Sequence, residues 1–139
     1  MPTSVKNARN IIDAALQKTK ALPAAAAANA TDSIDLGQTV GGTIEGIDVV
    51  LECPAVPDLV EAKTITYTFK DSANDADFTA ITGLATVVQT GATTTGGAAA
   101  SELRVRLPPA ARRYIRVDAS VLTGGGDNTA KSYTLTVLV

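Results

Sequence analysis

The sequence predicts an all-β fold, an antiparallel jelly-roll-like sandwich of about seven to eight strands. Several segments alternate apolar and polar residues, which is the period of a strand buried on one face. Threonine and valine, which favour strands, are abundant, whereas aromatic residues make up only 4% and tryptophan is absent. No stretch between the alternating segments is long enough for a crossover helix, so we expect the strands to run antiparallel.

The clearest strand covers residues 63–70, in which Ile65, Tyr67 and Phe69 alternate with threonines. The predicted strand at 103–107 ends before Pro108, since proline has no backbone N–H to donate to a neighbouring strand. Joints rich in glycine, proline and aspartate separate the segments. In chain order, the predicted strands cover 43–51, 63–70, 78–81, 84–89, 103–107, 113–121 and 131–139.

The chain is expected to divide into an N-terminal arm, residues 1–35, and a β-sandwich or jelly-roll body, residues 36–139. The arm is predicted to be a short helix or extended, because apolar residues recur at helical spacings until Pro23 ends the pattern. The alanine run at 24–28 is interpreted as a packed or extended connector. The residues that carry the helical spacing are Val5, Ala8, Ile11, Ile12 and Ala15.

Catalytic and cofactor-binding motifs are missing from the sequence. It has no histidine, which removes histidine-dependent triads and most zinc sites, and Cys53 has no second cysteine to pair with. No glycine-rich phosphate cradle follows a predicted strand. We therefore expect no enzyme and no cofactor, with Cys53 a small buried side chain. A carboxylate-dependent hydrolase that uses Glu45 or Glu52 is the enzymatic alternative.

Three aspartates, Asp71, Asp75 and Asp77, crowd the segment DSANDAD. Carboxylate oxygens are the ligands that Ca²⁺ prefers, but this spacing does not match an EF-hand loop. A turn in which Asp, Ser and Asn side chains bond to nearby backbone groups explains the same residues. We favour the turn, with a cation site as the alternative.

The charge of the chain gives no sign of a nucleic-acid or membrane partner. The formal net charge is −2, whereas a nucleic-acid binder usually presents a basic field. The sequence contains no polybasic tract, no apolar run of membrane-spanning length and no secretory signal pattern at its N-terminus. We expect the protein to bind neither nucleic acid nor membranes.

Two further features have two interpretations each. The glycine-rich loops 90–100 and 123–128 are either mobile surface loops or segments that become ordered on a partner. A group of arginines is either a solvated strand face or a protein interface, where the planar guanidinium is enriched. These arginines are Arg104, Arg106, Arg112, Arg113 and Arg116.

Several short pieces stand out along the chain: Ile11-Ile12-Asp13-Ala14, DSIDLG at 32–37, KTITYTF at 63–69 with Asp77-Phe78, and Leu107-Pro108 with RYIRV at 113–117. These pieces, in the same order, resemble the capsid cement (decoration) proteins of short-tailed phages of the Bordetella-phage type. Gly124 and the threonine-rich last segment also fit, so that the resemblance spans nearly the whole chain.

The resemblance implies a structural virion protein, made in the bacterial host cytoplasm, that lies on the outer capsid surface. It would stabilise the capsid by bridging major capsid protein subunits, and it would form homodimers. The alternative is a phage tail or fibre module that recognises a host surface glycan. The candidate interface residues are Ile11, Ile12, Leu16, Arg113, Tyr114 and Arg116.

Overall fold

The computed structural model describes residues 16–37 and 47–138, and it confirms the all-β prediction. The strands form two sheets in which all neighbours pair antiparallel, consistent with a β-sandwich. The strands are β1 (Gln17–Ala21), β2 (Ala28–Ala30), β3 (Ile34–Asp35), β4 (Asp48–Cys53), β5 (Thr64–Ser72), β6 (Thr79–Ala80), β7 (Val87–Thr90), β8 (Ser101–Arg106), β9 (Tyr114–Val121) and β10 (Ser132–Leu138).

The four-stranded sheet has the order β1-β10-β4-β8, so β1 and β8 are its edges. The six-stranded sheet is built around the central pair β5 and β9. On one side β2 and β3 pair with β9, and on the other side β6 and β7 pair with β5. Apart from the consecutive strands β5 and β6, the paired strands are therefore distant in sequence.

The core lies between the two sheets, because alternate side chains of each strand point inwards. The rings of Tyr67 and Tyr133, one from each sheet, meet edge to face with centroids 5.5 Å apart. Both rings are fully buried, and each hydroxyl has a partner. Tyr67 donates to the Gln89 side chain at 2.6 Å, and Tyr133 donates to Asn29 at 2.8 Å. Both buried hydroxyls are therefore hydrogen-bonded, so their burial does not leave a donor without a partner.

The seven predicted strands correspond to β4–β10, with shifted ends. Three strands were not predicted, because β1 is polar and β2 and β3 are only three and two residues long. Residues 17–35 of the segment assigned to the arm thus pair with both sheets, and they supply Leu22 and Ile34 to the core. The arm boundary at residue 35 stays a prediction, and the predicted helix at 5–15 lies outside the described residues.

Within residues 16–37 and 47–138, no helix reaches the length and apolarity that a membrane span requires.

Candidate protein-interaction surface

The outer face of the six-stranded sheet, which points away from the core, carries the even-numbered side chains of β5 and β9. One end of this face is charged. There, Arg113 donates two hydrogen bonds to the Asp35 carboxylate, at 2.7 and 2.8 Å, which ties the start of β9 to β3. The Arg113 guanidinium also lies 5.1 Å from the ring centroid of Tyr114.

The next charged residues on this face are also paired with one another. Arg116 donates to both carboxylate oxygens of Asp118, at 2.8 and 3.3 Å, and lies 4.1 Å from the ring centroid of Phe78. Lys70 of β5 contacts the same Asp118 carboxylate at 2.9 Å. We call Arg113, Arg116 and these partners the charged end. Its arginines already have anionic partners within the chain.

A partly buried ion pair lies near the charged end, with the Arg112 side chain 38% exposed. The Asp71 side chain is only 8% exposed, and Arg112 holds it with its backbone N–H and with its guanidinium, at 2.7–3.0 Å. Arg112 also donates to the Asp71 carbonyl and to the Thr79 hydroxyl. This pair closes the loop after β8 onto the end of β5.

Asp71 therefore does not join Asp75 and Asp77 around a cation. The loop after β5 is organised instead by Asn74, whose side-chain oxygen accepts from the backbone N–H groups of Ala76 and Asp77, both at 3.0 Å. In residues 16–37 and 47–138, His, Cys, Asp and Glu side chains form no group of three that could hold a metal ion. The loop is therefore a turn of the kind predicted from the sequence, in which a side chain bonds to nearby backbone groups.

The remaining two arginines of the sequence cluster lie on the other sheet. Arg104 and Arg106 of β8 both donate to the carboxylate of Asp48 on β4, at 2.9–3.0 Å. These hydrogen bonds, from Arg106 first and then Arg104, lower the pKa of Asp48. The structure thus splits the five arginines between the two sheets, and they do not form one surface.

The opposite end of the six-stranded sheet exposes apolar side chains. Among the described residues, the exposed large hydrophobic side chains are Val60 (43%), Val88 (51%) and Leu122 (48%). Val88 of β7 lies opposite Thr66, and the N–H of Leu122 donates to the Thr64 carbonyl at 2.9 Å. Val88 and Leu122 therefore lie at one end of this sheet. Val60 lies in the loop that leads into β5 at the same end, where the Lys63 N–H donates to its carbonyl. We call these three residues the apolar patch.

The patch is continuous with surface built from small, uncharged side chains. A shallow groove beside Leu122 is lined by the alanines at 26–28 and by Thr64, Thr66 and Ser120. Among the described residues, the ion pairs that involve the six-stranded sheet are those of the charged end and of Arg112 with Asp71. Charged side chains border the patch at Val60, since Asp58 and Glu61 are both exposed. Exposed apolar groups with a polar rim are the type of surface that proteins use for binding one another.

Glycines fix the loops that carry the patch. The Gly97 N–H donates to the Leu59 carbonyl at 2.7 Å, and the Val60 N–H donates to the Gly125 carbonyl at 3.2 Å. A Cβ atom at Gly91 would lie 2.1 Å from the Val60 carbonyl oxygen, so no larger residue fits this approach. The two glycine-rich loops therefore pack against residues 57–61, and Val60 is held by backbone contacts on both sides.

Electrostatics distinguish the charged end from the core. Hydrogen bonds from Arg113 and from the Gly37 N–H lower the pKa of Asp35 to about 2, and the same pairing raises the pKa of Arg113. In the core, burial raises the pKa of Cys53 to about 11, which keeps the thiol protonated and unreactive at neutral pH. Burial also raises the pKa of Tyr67 and of Tyr133.

Aromatic side chains contribute little to the surface. Tyr67, Tyr133 and Phe69 are buried, which leaves Phe78 and Tyr114 as the partly exposed rings. Each of these two has an arginine over its face. A sugar-binding groove usually offers an open aromatic platform, and these rings are already occupied.

The predicted interface residues fall in different places. Leu16 is half-buried and packs against the core at the start of β1. Arg113, Tyr114 and Arg116 share the charged end, whereas Ile11 and Ile12 lie outside the described residues. Sequence reasoning missed the apolar patch, because Val60, Val88 and Leu122 each follow another apolar residue, and the sequence does not show which of the two the fold covers.

Fold and surface together define a β-sandwich protein with a fixed, exposed apolar patch and a self-paired charged end. The chain belongs to the Bbp16 family, whose model matches residues 16–137. Bbp16 is a Bordetella phage protein family, so the expected relation to a phage protein family is confirmed, and the cement role stays a prediction. A search of curated proteins found no match.

Proposed function

We propose that this protein is a capsid cement protein, a non-enzymatic virion component that binds the outer capsid surface and bridges major capsid protein subunits. The observation that carries the proposal is the membership of residues 16–137 in a Bordetella phage protein family. The apolar patch supports it, because Val60, Val88 and Leu122 are exposed large hydrophobic side chains at one end of the sandwich.

The rigidity of the patch suits a binding role. Ordering a loop on binding costs free energy, of about 0.5–1.5 kcal/mol for each side chain that becomes fixed. The loop of Val60 is already held by the hydrogen bonds to Gly125 and Gly97 and by the close approach of Gly91. The capsid would therefore meet a surface that has its bound shape beforehand.

Many copies on a closed shell make modest binding effective. A ligand that binds only the assembled state stabilises that state by mass action. A protomer that contacts two neighbouring capsid subunits links them, and a homodimer doubles the number of contacts. Stable interfaces bury roughly 1,200–2,000 Å² in total, which a small sandwich reaches more easily with an added segment of chain.

We propose that residues 1–15 provide part of this added contact, through Ile11 and Ile12. A truncation that tests this should end at residue 15. Removal of residues 17–35 would also delete β1, β2 and β3, together with the core residues Leu22 and Ile34. Without residues 1–15 we expect a folded sandwich, shown by an unchanged melting temperature, with clearly weaker capsid binding. Unchanged binding would reject a role for this segment.

The proposed function is tested by co-sedimentation of the purified protein with expanded capsids that lack it, and in parallel with immature procapsids. We expect saturable binding to the expanded capsids, at a fixed number of copies per major capsid subunit. Binding to neither particle would contradict the cement role and would favour the tail or fibre module, which a glycan array then tests.

A further inference from the structure

The two edges of the four-stranded sheet differ in how well they are protected against pairing with another strand. At one edge, Lys18 and Lys20 of β1 lie opposite Leu135 and Tyr133, and so project on the core side of the sheet. Lysines in this position on an edge strand prevent a second strand from docking, because their charges would be buried. The β1 edge is therefore closed to self-association.

The edge formed by β8 has no charge on the core side of the sheet, where Leu103 and Val105 lie opposite Leu51 and Val49. Its six residues, Ser101–Arg106, contain no proline, and among the described strands β8 pairs with β4 alone. An edge strand leaves every second N–H and C=O without a partner in the sheet. In the six-stranded sheet, the strands flanking β5 and β9 have only two to four residues each, which limits pairing there.

The side chains of β8 complement a second copy of β8 that runs antiparallel to the first. With Arg104 at the two-fold axis, Glu102 lies opposite Arg106 of the second copy, and this pair occurs twice by symmetry. On the other face, Leu103 lies opposite Val105 of the second copy, and both side chains are half-exposed in the single chain. Opposite charges and apolar pairs in directly facing positions stabilise a strand pair.

The residue on the axis, Arg104, would face its own copy. Its guanidinium donates two hydrogen bonds to Asp48, at 2.9 and 3.0 Å, and Arg106 donates to the same carboxylate, so that Asp48 offsets one of the two positive charges. The repulsion at the axis is therefore reduced, while the Arg106 side chain is 68% exposed and can share its guanidinium between Asp48 and Glu102 of the second copy.

We propose that two copies of this protein join through their β8 edges, with Arg104 on the two-fold axis, into one continuous eight-stranded sheet. This proposal rests on the homodimer of the proposed function and assigns its interface. It leaves the apolar patch, on the other sheet, free in both copies.

Charge reversal tests the register of this interface. Glu102→Arg alone places like charges opposite each other across the interface, and so does Arg106→Glu alone. We expect each to raise the dimer dissociation constant roughly tenfold or more, measured by sedimentation velocity. An equimolar mixture of the two single variants should restore the dimer, because each new charge then faces its opposite, and the double variant should restore it too.

A cysteine at the two-fold axis gives a second test, which detects a new covalent dimer instead of a weakened one. Arg104→Cys should form an intermolecular disulfide under mild oxidation, seen as a dimer on a non-reducing gel, because facing Cβ atoms in a strand pair lie close together. Arg106→Cys, on the same strand but away from the axis, is the matched control and should remain monomeric on the gel.

A wild-type protein that is monomeric in solution, or a dimer that neither single variant weakens, would overturn the β8 assignment. Equal cross-linking at both cysteine positions would overturn the register. The capsid-binding assay is read separately, so a monomer that still binds expanded capsids would reject this interface and leave the proposed function standing.

Discussion

The two ends of the six-stranded sheet present opposite chemistry on the same outer face. The charged end holds Arg113 and Arg116, each with a carboxylate of its own chain within 2.8 Å. The apolar patch holds Val60, Val88 and Leu122, each more than 40% exposed. The arginines that dominate the sequence are satisfied internally, whereas inconspicuous aliphatic residues remain without cover. Exposed apolar side chains are thus a better guide to a binding surface than arginines that are already paired within the chain.

Energetics support this contrast. Exposed ion pairs contribute about 0–1 kcal/mol, because water competes for both partners and salt screens them. Burial of apolar surface contributes about 25 cal/mol for each Å² removed from water, and no ion pair within the chain has to break before it is buried. Recruiting Arg113 to a partner would require it to leave Asp35 or to share it. We therefore propose that the patch contributes most of the binding and that the charged end chiefly supports the structure.

The largest expected effect on stability concerns the partly buried pair near the charged end. Arg112→Ala removes every guanidinium hydrogen bond to Asp71, whose side chain is 8% exposed. The Arg112 side chain is itself 38% exposed and its backbone N–H still donates to Asp71 in the variant, so we expect a loss of about 1–3 kcal/mol, typical of a buried acceptor that loses hydrogen bonds. Urea denaturation should show this loss, and Arg113→Ala, the matched control at an exposed pair, should cost clearly less. Equal losses in the two variants would remove the distinction between partly buried and exposed pairs.

The next largest effect concerns binding through the patch. The double variant Val88→Asp/Leu122→Asp places two charges in the proposed interface, and we expect capsid affinity to fall roughly 100-fold, since buried unpaired charges are costly. Both positions are exposed, so the melting temperature should change little. The control Thr82→Asp/Ala110→Asp adds the same charge at exposed positions near the Arg112–Asp71 pair. Equal loss in patch and control variants would show an effect of net charge alone.

A smaller effect is expected from the predicted interface residues of the charged end. Tyr114→Ala/Arg116→Ala removes two half-exposed side chains and the contact of Arg116 with Phe78. Because Arg116 is already paired with Asp118, we expect capsid affinity to fall only roughly threefold. If the double variant kept both its capsid affinity and its stability, the assignment of Tyr114 and Arg116 to an interface, or to residues that support one, would be wrong.

The smallest effect is a pH dependence at Asp35. Its pKa in the folded protein is about 2, lowered from the ordinary value of 3.8 by Arg113. A lowered carboxyl pKa means that the ion pair stabilises the fold above pH 4, and that this contribution is lost as the pH falls towards 2. The difference in melting temperature between wild type and Asp35→Asn should therefore be constant above about pH 5 and shrink below pH 4. A difference independent of pH would contradict the ion pair.

The sequence predicted the fold where alternation was strong. The threonine-flanked residues Ile65, Tyr67 and Phe69 mark β5 plainly, and β8, β9 and β10 follow the same rule. It did not predict β1, because the segment QKTKA becomes a strand only through its pairing with β10, more than 100 residues away. Local pattern cannot report a contact of that kind.

The candidate site was less accessible to sequence reasoning. Val87 and Val88 are adjacent, and only the pairing of β7 with β5 decides that Val88 faces outwards. The partner of Asp71 was also beyond prediction, since Arg112 lies 41 residues further along the chain. Charge and apolar content can be counted in a sequence, but which groups satisfy one another depends on the packed structure.

The central claim, that the apolar end of the six-stranded sheet faces the capsid, is tested most directly by site-specific photo-cross-linking on intact expanded capsids. A photoreactive side chain would replace Val88 in one sample and Ala110, an exposed residue beside the Arg112–Asp71 pair, in another. We expect strong cross-links to the major capsid protein from position 88 and weak ones from position 110. Strong cross-links from position 110, with none from position 88, would contradict this orientation.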